Sequence, residues 1–221
     1  MLTKLKNLNP EIPFYSVEDE EFKPYGKILH GFDTKEIIGE CKKMPMPENG
    51  SIYTASVKEL EELDISKNIE REIFGGLDMQ TGVCYGYNSM LNAFEYHRTN
   101  EINIAVTPMV LILGLLSETD GGKFDTKKAK AFYVPEGTVI EVYSPSLHFC
   151  PCQTGADGFF SVVMLNRGTN TELDAPVCDG TLFRKNKWLL AHEENTALIN
   201  RGVIPGLYGT NFCIKYPTER I

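Results

Sequence analysis

From about Gly75 onward the chain is a succession of short apolar, β-branched segments cut by turn residues, and this rhythm admits very few folds. The segments span 82–86, 93–97, 102–106, 110–115, 131–134, 139–143, 147–150 and 159–166. The gaps between them carry Asp120-Gly121-Gly122, Pro135-Glu136-Gly137 and a run from Thr154 to Gly158, all turn formers. Strands of this length and spacing predict an all-β sandwich or barrel. No internal repeat, low-complexity stretch or linker divides the sequence. It therefore reads as one domain over 1–221, with an extension over 1–74 packing on a barrel and C-terminal elements over 75–221.

The extension has a different character. Pro10, Pro13, Pro24, Pro45 and Pro47 break any long element, so the first fifty residues are expected to be largely irregular. Tyr25 to Gly31 suggests a short strand closed by a turn. Helical spacing of Ile37, Ile38 and Cys41 predicts a helix over 34–43. Ser56-Val57-Lys58-Glu59 matches a capping box and predicts a helix over 57–63, with another over 65–73. Near the C-terminus, His192 and Glu193 are expected to open a short helix ending at Arg201-Gly202.

With 42% hydrophobic and 24% charged residues the composition is that of a globular protein, and the net charge is −8. With a pI near 5.1, this acidity argues against a nucleic-acid partner, because phosphate binding requires a basic face. The first ten residues lack the apolar core of a signal peptide, and the run Val110 to Leu116 is too short to span a bilayer. The expectation is a cytoplasmic protein with no membrane partner. Six cysteines without a repeating framework then read as free thiols. Cys150 and Cys152 share the parity of His148, so all three could face inward from one strand.

The chemistry concentrates in Glu95-Tyr96-His97-Arg98-Thr99-Asn100-Glu101 and in Ser144-Pro145-Ser146-Leu147-His148. Residues two apart on a strand face one side, so Glu95 and His97 point together. Glu101 follows after a spacing that suits a tight turn, which would return it beside them. Two imidazoles with one or two carboxylates suit Mn²⁺, Fe²⁺ or Zn²⁺. The candidate ligands are His97, Glu101, His148 and Glu95, with Glu95 also a candidate base beside the ion. Glu141 shares the parity of Tyr143 and is expected to point into the barrel as a second acid. Arg98, Lys187 and Tyr143 are the candidates for holding substrate. Trp188, the only tryptophan, is expected in the core or stacked at the rim of the site.

These paired elements resemble the cupin superfamily, whose first motif reads His-x-His, three or four residues, then Glu. Here Glu95-x-His97 occupies the His-x-His slot and Glu101 follows, so Glu95 replaces the first histidine; Pro108 stands near the family's later glycine. The second motif places a histidine eleven residues after the glycine of a Gly-Asp-Val-Val turn, and Gly137-Thr138-Val139-Ile140 with His148 keeps that distance. Between them, Tyr143-Ser144-Pro145-Ser146 replaces the usual Pro-x-Gly. The resemblance is best over 80–170. Glu95-Tyr96-His97, Leu147 to Cys152 and Asn186 to His192 are also similar to a bacterial cupin family of unassigned function. Tyr25-Gly26 faintly resembles the ureidoglycolate lyases, which are cupins too.

The resemblance implies a mainly β fold, a cupin-like double-stranded β-helix barrel (jelly roll) with a partly helical N-terminal extension and a short C-terminal helix. It also implies a divalent metal cofactor, a small-molecule substrate and a homodimer. Together with the acidic ligand set, it leads to a metal-dependent enzyme for a small carbohydrate-like or hydroxy-acid substrate. The expected chemistry is isomerisation or lyase chemistry through a metal-bound enediolate. The alternatives are an Fe-dependent dioxygenase and a non-catalytic sugar-binding or sensor cupin.

Overall fold

The computed structural model describes residues 1–217. Its strands are β1 (Phe14–Ser16), β2 (Gly26–Leu29), β3 (Ser51–Thr54), β4 (Met79–Gly86), β5 (Ala93–Tyr96), β6 (Glu101–Ala105), β7 (Met109–Leu115), β8 (Phe124–Asp125), β9 (Lys130–Val134), β10 (Val139–Val142), β11 (Ser146–Leu147), β12 (Cys152–Gln153), β13 (Phe159–Asn166), β14 (Leu182–Arg184), β15 (Lys187–His192) and β16 (Ile204–Tyr208). The helices are α1 (Leu2–Leu8), α2 (Lys35–Cys41), α3 (Lys58–Glu61), α4 (Asp64–Glu72) and α5 (Thr196–Ile199).

One sheet runs β2-β10-β6-β13-β4-β3. Opposite it, β15 pairs antiparallel with β5, and Glu95 bridges to His148 just after β11, which itself pairs with β7. Thus β10-β6-β13-β4 faces β15-β5-β11-β7. Neighbours far apart in sequence lie side by side, as in a jelly roll. The mainly β, cupin-like double-stranded β-helix is therefore borne out by the strand order. Gly137, at a φ of +81°, makes the left-handed turn that feeds β10, a backbone conformation that glycine adopts without strain.

Both faces of β6 are buried, and the alternation along it divides the interior. Ile102 and Ile104 face outward and pack with Ile37, Cys41, Leu60, Ile65 and Ile69 from α2, α3 and α4. Glu101, Asn103 and Ala105 face into the barrel, where Ala105 joins Ile140, Val142 and Phe159. On β5 the alternation is complementary: Glu95 faces inward while Phe94 meets Phe124 edge-to-face at 5.2 Å on the other side. Burying these aromatic and branched side chains is what fixes the strand registers.

Several sequence expectations are corrected. Among the first fifty residues, β2 and α2 fall where a short strand and a helix are expected, whereas α1 and β1, the latter pairing in parallel with β9, stand where no element is expected. The capping box is not realised, because Val57 caps α3 without a side-chain bond and Ser56 instead donates to Glu61 Oε1 at 2.7 Å. His192 ends β15 rather than starting a helix; α5 begins at Thr196, capped by Asn195, whose side chain accepts from the Leu198 amide. No helix among the described residues is long and apolar enough to cross a membrane.

Candidate metal centre

Glu95 and His97 extend from β5 and its following residue, Glu101 opens β6, and His148 follows β11. Donor atoms of Glu95, His97 and His148 all lie within 4.8 Å of one another. Glu101 Oε2 sits between the imidazoles, 3.4 Å from His97 Nε2 and 3.3 Å from His148 Nε2. The expected constellation is assembled, with the turn between β5 and β6 returning Glu101 beside the histidine.

Each imidazole is oriented from behind. His97 Nδ1 lies 2.5 Å from the backbone carbonyl of Asn186, and His148 Nδ1 lies 2.9 Å from that of Ser146. A carbonyl only accepts, so both Nδ1 atoms are assigned as N–H donors, which leaves the Nε2 atoms facing Glu95 and Glu101. Both Nε2 atoms are buried without a hydrogen-bond partner among the described residues. Buried polar atoms are normally satisfied. Two such nitrogens converging on carboxylate oxygens match the donor set of a hard or borderline divalent ion. The residues present fit such an ion.

The electrostatics are strongly coupled. Burial pulls His148 down, but the Glu101 carboxylate outweighs it and the imidazole is pushed up to about 9. Burial would raise Glu101, yet the two histidines, His148 foremost, hold it far below the usual carboxylate range. Glu101 Oε1 also accepts from Asn103 Nδ2 at 2.8 Å, so both its oxygens are engaged.

The centre opens onto a cavity of about 280 Å³, lined among others by Tyr53, Asn103, Phe149, Asn170, Lys187 and Arg201. Lys187 shares the inward parity of Leu189 on β15 and makes a close ion pair with Glu95 Oε2. Of the three residues expected to hold substrate, it is the one that lines this cavity. Three other candidates lie elsewhere. Glu141 sits opposite Ile102 on the outward face of its sheet, where it accepts from Asn100 and pairs with Lys27 at 3.0 Å. Tyr143 has the same outward parity and is not part of the cavity wall. Arg98, one residue past His97, is exposed and stacks over Trp188 at 4.7 Å, while Trp188 stacks on Tyr96.

The sequence reading missed Cys84, Asn103, Asn170 and Arg201, which also line the cavity. Asn103 was within reach of it, because it shares the parity of Glu101 on β6. Cys150 does face the cavity, but Cys152 is turned into the hydrophobic core on β12. His192 is fully buried and bonded to the Gly209 carbonyl, and His30 is exposed; neither approaches the centre.

Strand order and site together define a double-stranded β-helix barrel with a group of buried histidines and carboxylates that could hold a metal ion. The chain belongs to the family described as a domain of unknown function, DUF4867, whose profile matches residues 14–212. Among solved structures it is similar to oxalate decarboxylase, at 10% identity and a TM-score of 0.34, over 57% of this chain and 28% of that one. A Bacillus subtilis oxalate decarboxylase studied for its Mn(II) centres gives 9% and 0.33 over the same shares. The chain thus spans little more than a quarter of those proteins. No curated protein matches it in sequence.

Proposed function

We propose that the chain is a metal-dependent enzyme that moves a proton next to a carbonyl group in a small, oxygen-rich substrate, an isomerase or lyase. The observation that carries this reading is the pair of back-bonded imidazoles presenting unpartnered Nε2 atoms beside Glu101, with the Glu95–Lys187 ion pair at the same cavity. His97, His148 and Glu101 would hold Mn²⁺, Fe²⁺ or Zn²⁺. When bound, such an ion supplies Lewis-acid polarisation of a substrate oxygen.

Glu95 is then the proton carrier. Its carboxylate lies within reach of the imidazole donors yet is engaged by Lys187 rather than by a second histidine. It takes the proton from the carbon beside the carbonyl and returns it to the neighbouring atom. Lys187 balances the carboxylate and faces the negative charge that develops on the substrate oxygen. Arg201, in the cavity wall, favours a substrate carrying a carboxylate or phosphate. The cavity volume is at the lower end for ligand sites, which restricts the substrate to a small metabolite.

The test combines metal analysis with solvent exchange. Protein purified without a histidine tag is assayed for Mn, Fe and Zn, then incubated in deuterated water with aldoses, ketoses, sugar phosphates and hydroxy acids. The expected result is one ion per chain, lost in His97→Ala and His148→Ala, and deuterium entering beside the carbonyl of one substrate class. Glu95→Gln should keep the ion and stop the exchange. Oxygen consumption without exchange by the iron-loaded protein would replace this reading with a dioxygenase. Ligand binding without turnover would replace it with a sensor.

A further inference from the structure

The cavity wall holds a feature that the proposed chemistry does not use. Cys84, on β4, and Cys150, two residues beyond His148, both line the cavity, and their thiols are near enough to influence each other's ionisation. They come from opposite sides of the barrel, one from the middle of a long strand and the other from the segment leaving β11. Both pack against the same apolar cluster, which includes Ala105, Ile140 and Phe159. Cys150 Sγ also lies 3.4 Å from Ser51 Oγ, and Pro151 follows it in the wall. The other thiols sit differently: Cys41 and Cys152 are buried, Cys178 and Cys213 exposed.

We propose that Cys84 and Cys150 form a reversible disulfide in the wall of the cavity, a thiol-modification site that takes a small disulfide as its oxidant. Two thiols that share one cavity wall and one apolar cluster need less backbone movement to reach bonding distance than thiols on separate faces. Facing an open cavity, they are accessible to a small reagent, whereas a core thiol is not. The exchange proceeds in two steps. One cysteine sulfur attacks the small disulfide, giving a mixed disulfide and releasing one small thiol. The second cysteine sulfur then attacks the bonded cysteine sulfur and expels the other small thiol. The two cysteine protons end on the two released thiols, and the oxidant's sulfur–sulfur bond has been exchanged for one in the protein.

The closed bond would tie the segment carrying His148 to β4 and reduce the space beside Glu95. Its formation does not depend on the enzymatic reading above, and neither does its test. The protein is treated with cystamine, digested without reduction, and the peptides are sequenced by fragmentation so that Cys150 and Cys152 are told apart. The expected product links the Cys84 peptide to Cys150 and disappears on treatment with dithiothreitol. In Cys84→Ser or Cys150→Ser, a cysteamine adduct should accumulate on the remaining cavity thiol instead. The wild-type peptide map decides the matter if either variant fails to fold. Linkage through Cys152, Cys178 or Cys213, or alkylatable Cys84 and Cys150 after oxidation, would overturn the proposal.

Discussion

The backbone carbonyl of Asn186 reaches 2.5 Å from His97 Nδ1, across 89 positions of sequence, and so sets which nitrogen of that imidazole faces the candidate centre. Asn186 can do this because it sits at a φ of 54°, in the left-handed region that asparagine tolerates better than most residues. Its side chain holds it there, accepting from the Arg98 amide at 2.8 Å and donating to Thr169 Oγ1 at 2.9 Å. Asn186→Ala removes both anchors and strains the turn, so affinity for Zn²⁺ or Mn²⁺ in a chelator competition should fall about 10- to 100-fold. Asn186→Gly keeps the backbone freedom and should lose less. Equal affinity in all three proteins would mean that the carbonyl does not orient the imidazole.

Stability of the metal-free protein should depend on pH in two directions. Glu101 is depressed in the folded state, so its contribution is present above the ordinary carboxylate range, about pH 4.5, and is lost as pH falls. His148 is raised, so its contribution is complete below about pH 6.5 and disappears as pH climbs to about 9. The two groups share one interaction and are not summed; its size is on the order of 3 kcal/mol. Thermal melting of the metal-free protein should therefore peak between about pH 4.5 and 6.5. Added Zn²⁺ should remove the alkaline decline, because a metal takes the neutral imidazole and displaces its proton. A flat alkaline limb without metal would rule out the Glu101–His148 coupling.

Glu141 and Glu95 should behave oppositely. Glu141 pairs with Lys27 and Asn100 on the outward face, so Glu141→Gln should leave metal stoichiometry unchanged and turnover within about twofold. Glu95→Gln should lower turnover by about 10²- to 10⁴-fold, the usual contribution of a general base. Similar losses in both variants would contradict the placement of Glu141 outside the cavity.

Gly114 should tolerate no side chain. A Cβ there would approach Phe124 Cζ at 2.6 Å and a Phe94 ring carbon at 2.9 Å, in the edge-to-face pair that packs between β5 and β7. Gly114→Ala should cost about 1–3 kcal/mol, the range for overpacking a tight core, read from the urea midpoint. An unchanged midpoint would show that the ring pair relaxes freely.

The sequence disclosed what strand alternation and short spacing can encode. Glu95 and His97 at alternate positions, Glu101 across a turn and His148 after Gly137 all met as expected, because each relation is local or repeats a known distance. Arg98 failed for a reason that alternation itself contains: one step from His97, it belongs to the outer face with Tyr96. Glu141 needed the register of β10 against β6, and parity with Tyr143 alone placed both residues on the wrong side. Cys84 and Cys150 stand at positions with no periodic relation; only the sheet topology brings them to one cavity wall. The early prolines correctly ruled out long elements but concealed short ones, and the parallel pairing of β1 with β9 leaves no local signature.

The helices α2, α3 and α4 lie across the outward face of β6, β10 and β13. In doing so, the extension does for one chain what a second subunit would otherwise do, shielding branched apolar residues that a bare barrel would expose. Two copies that meet must therefore do so over some other surface. The enclosing layer also divides β6 between two environments: its outward isoleucines meet the helices, while its inward row carries a carboxylate bonded to an amide.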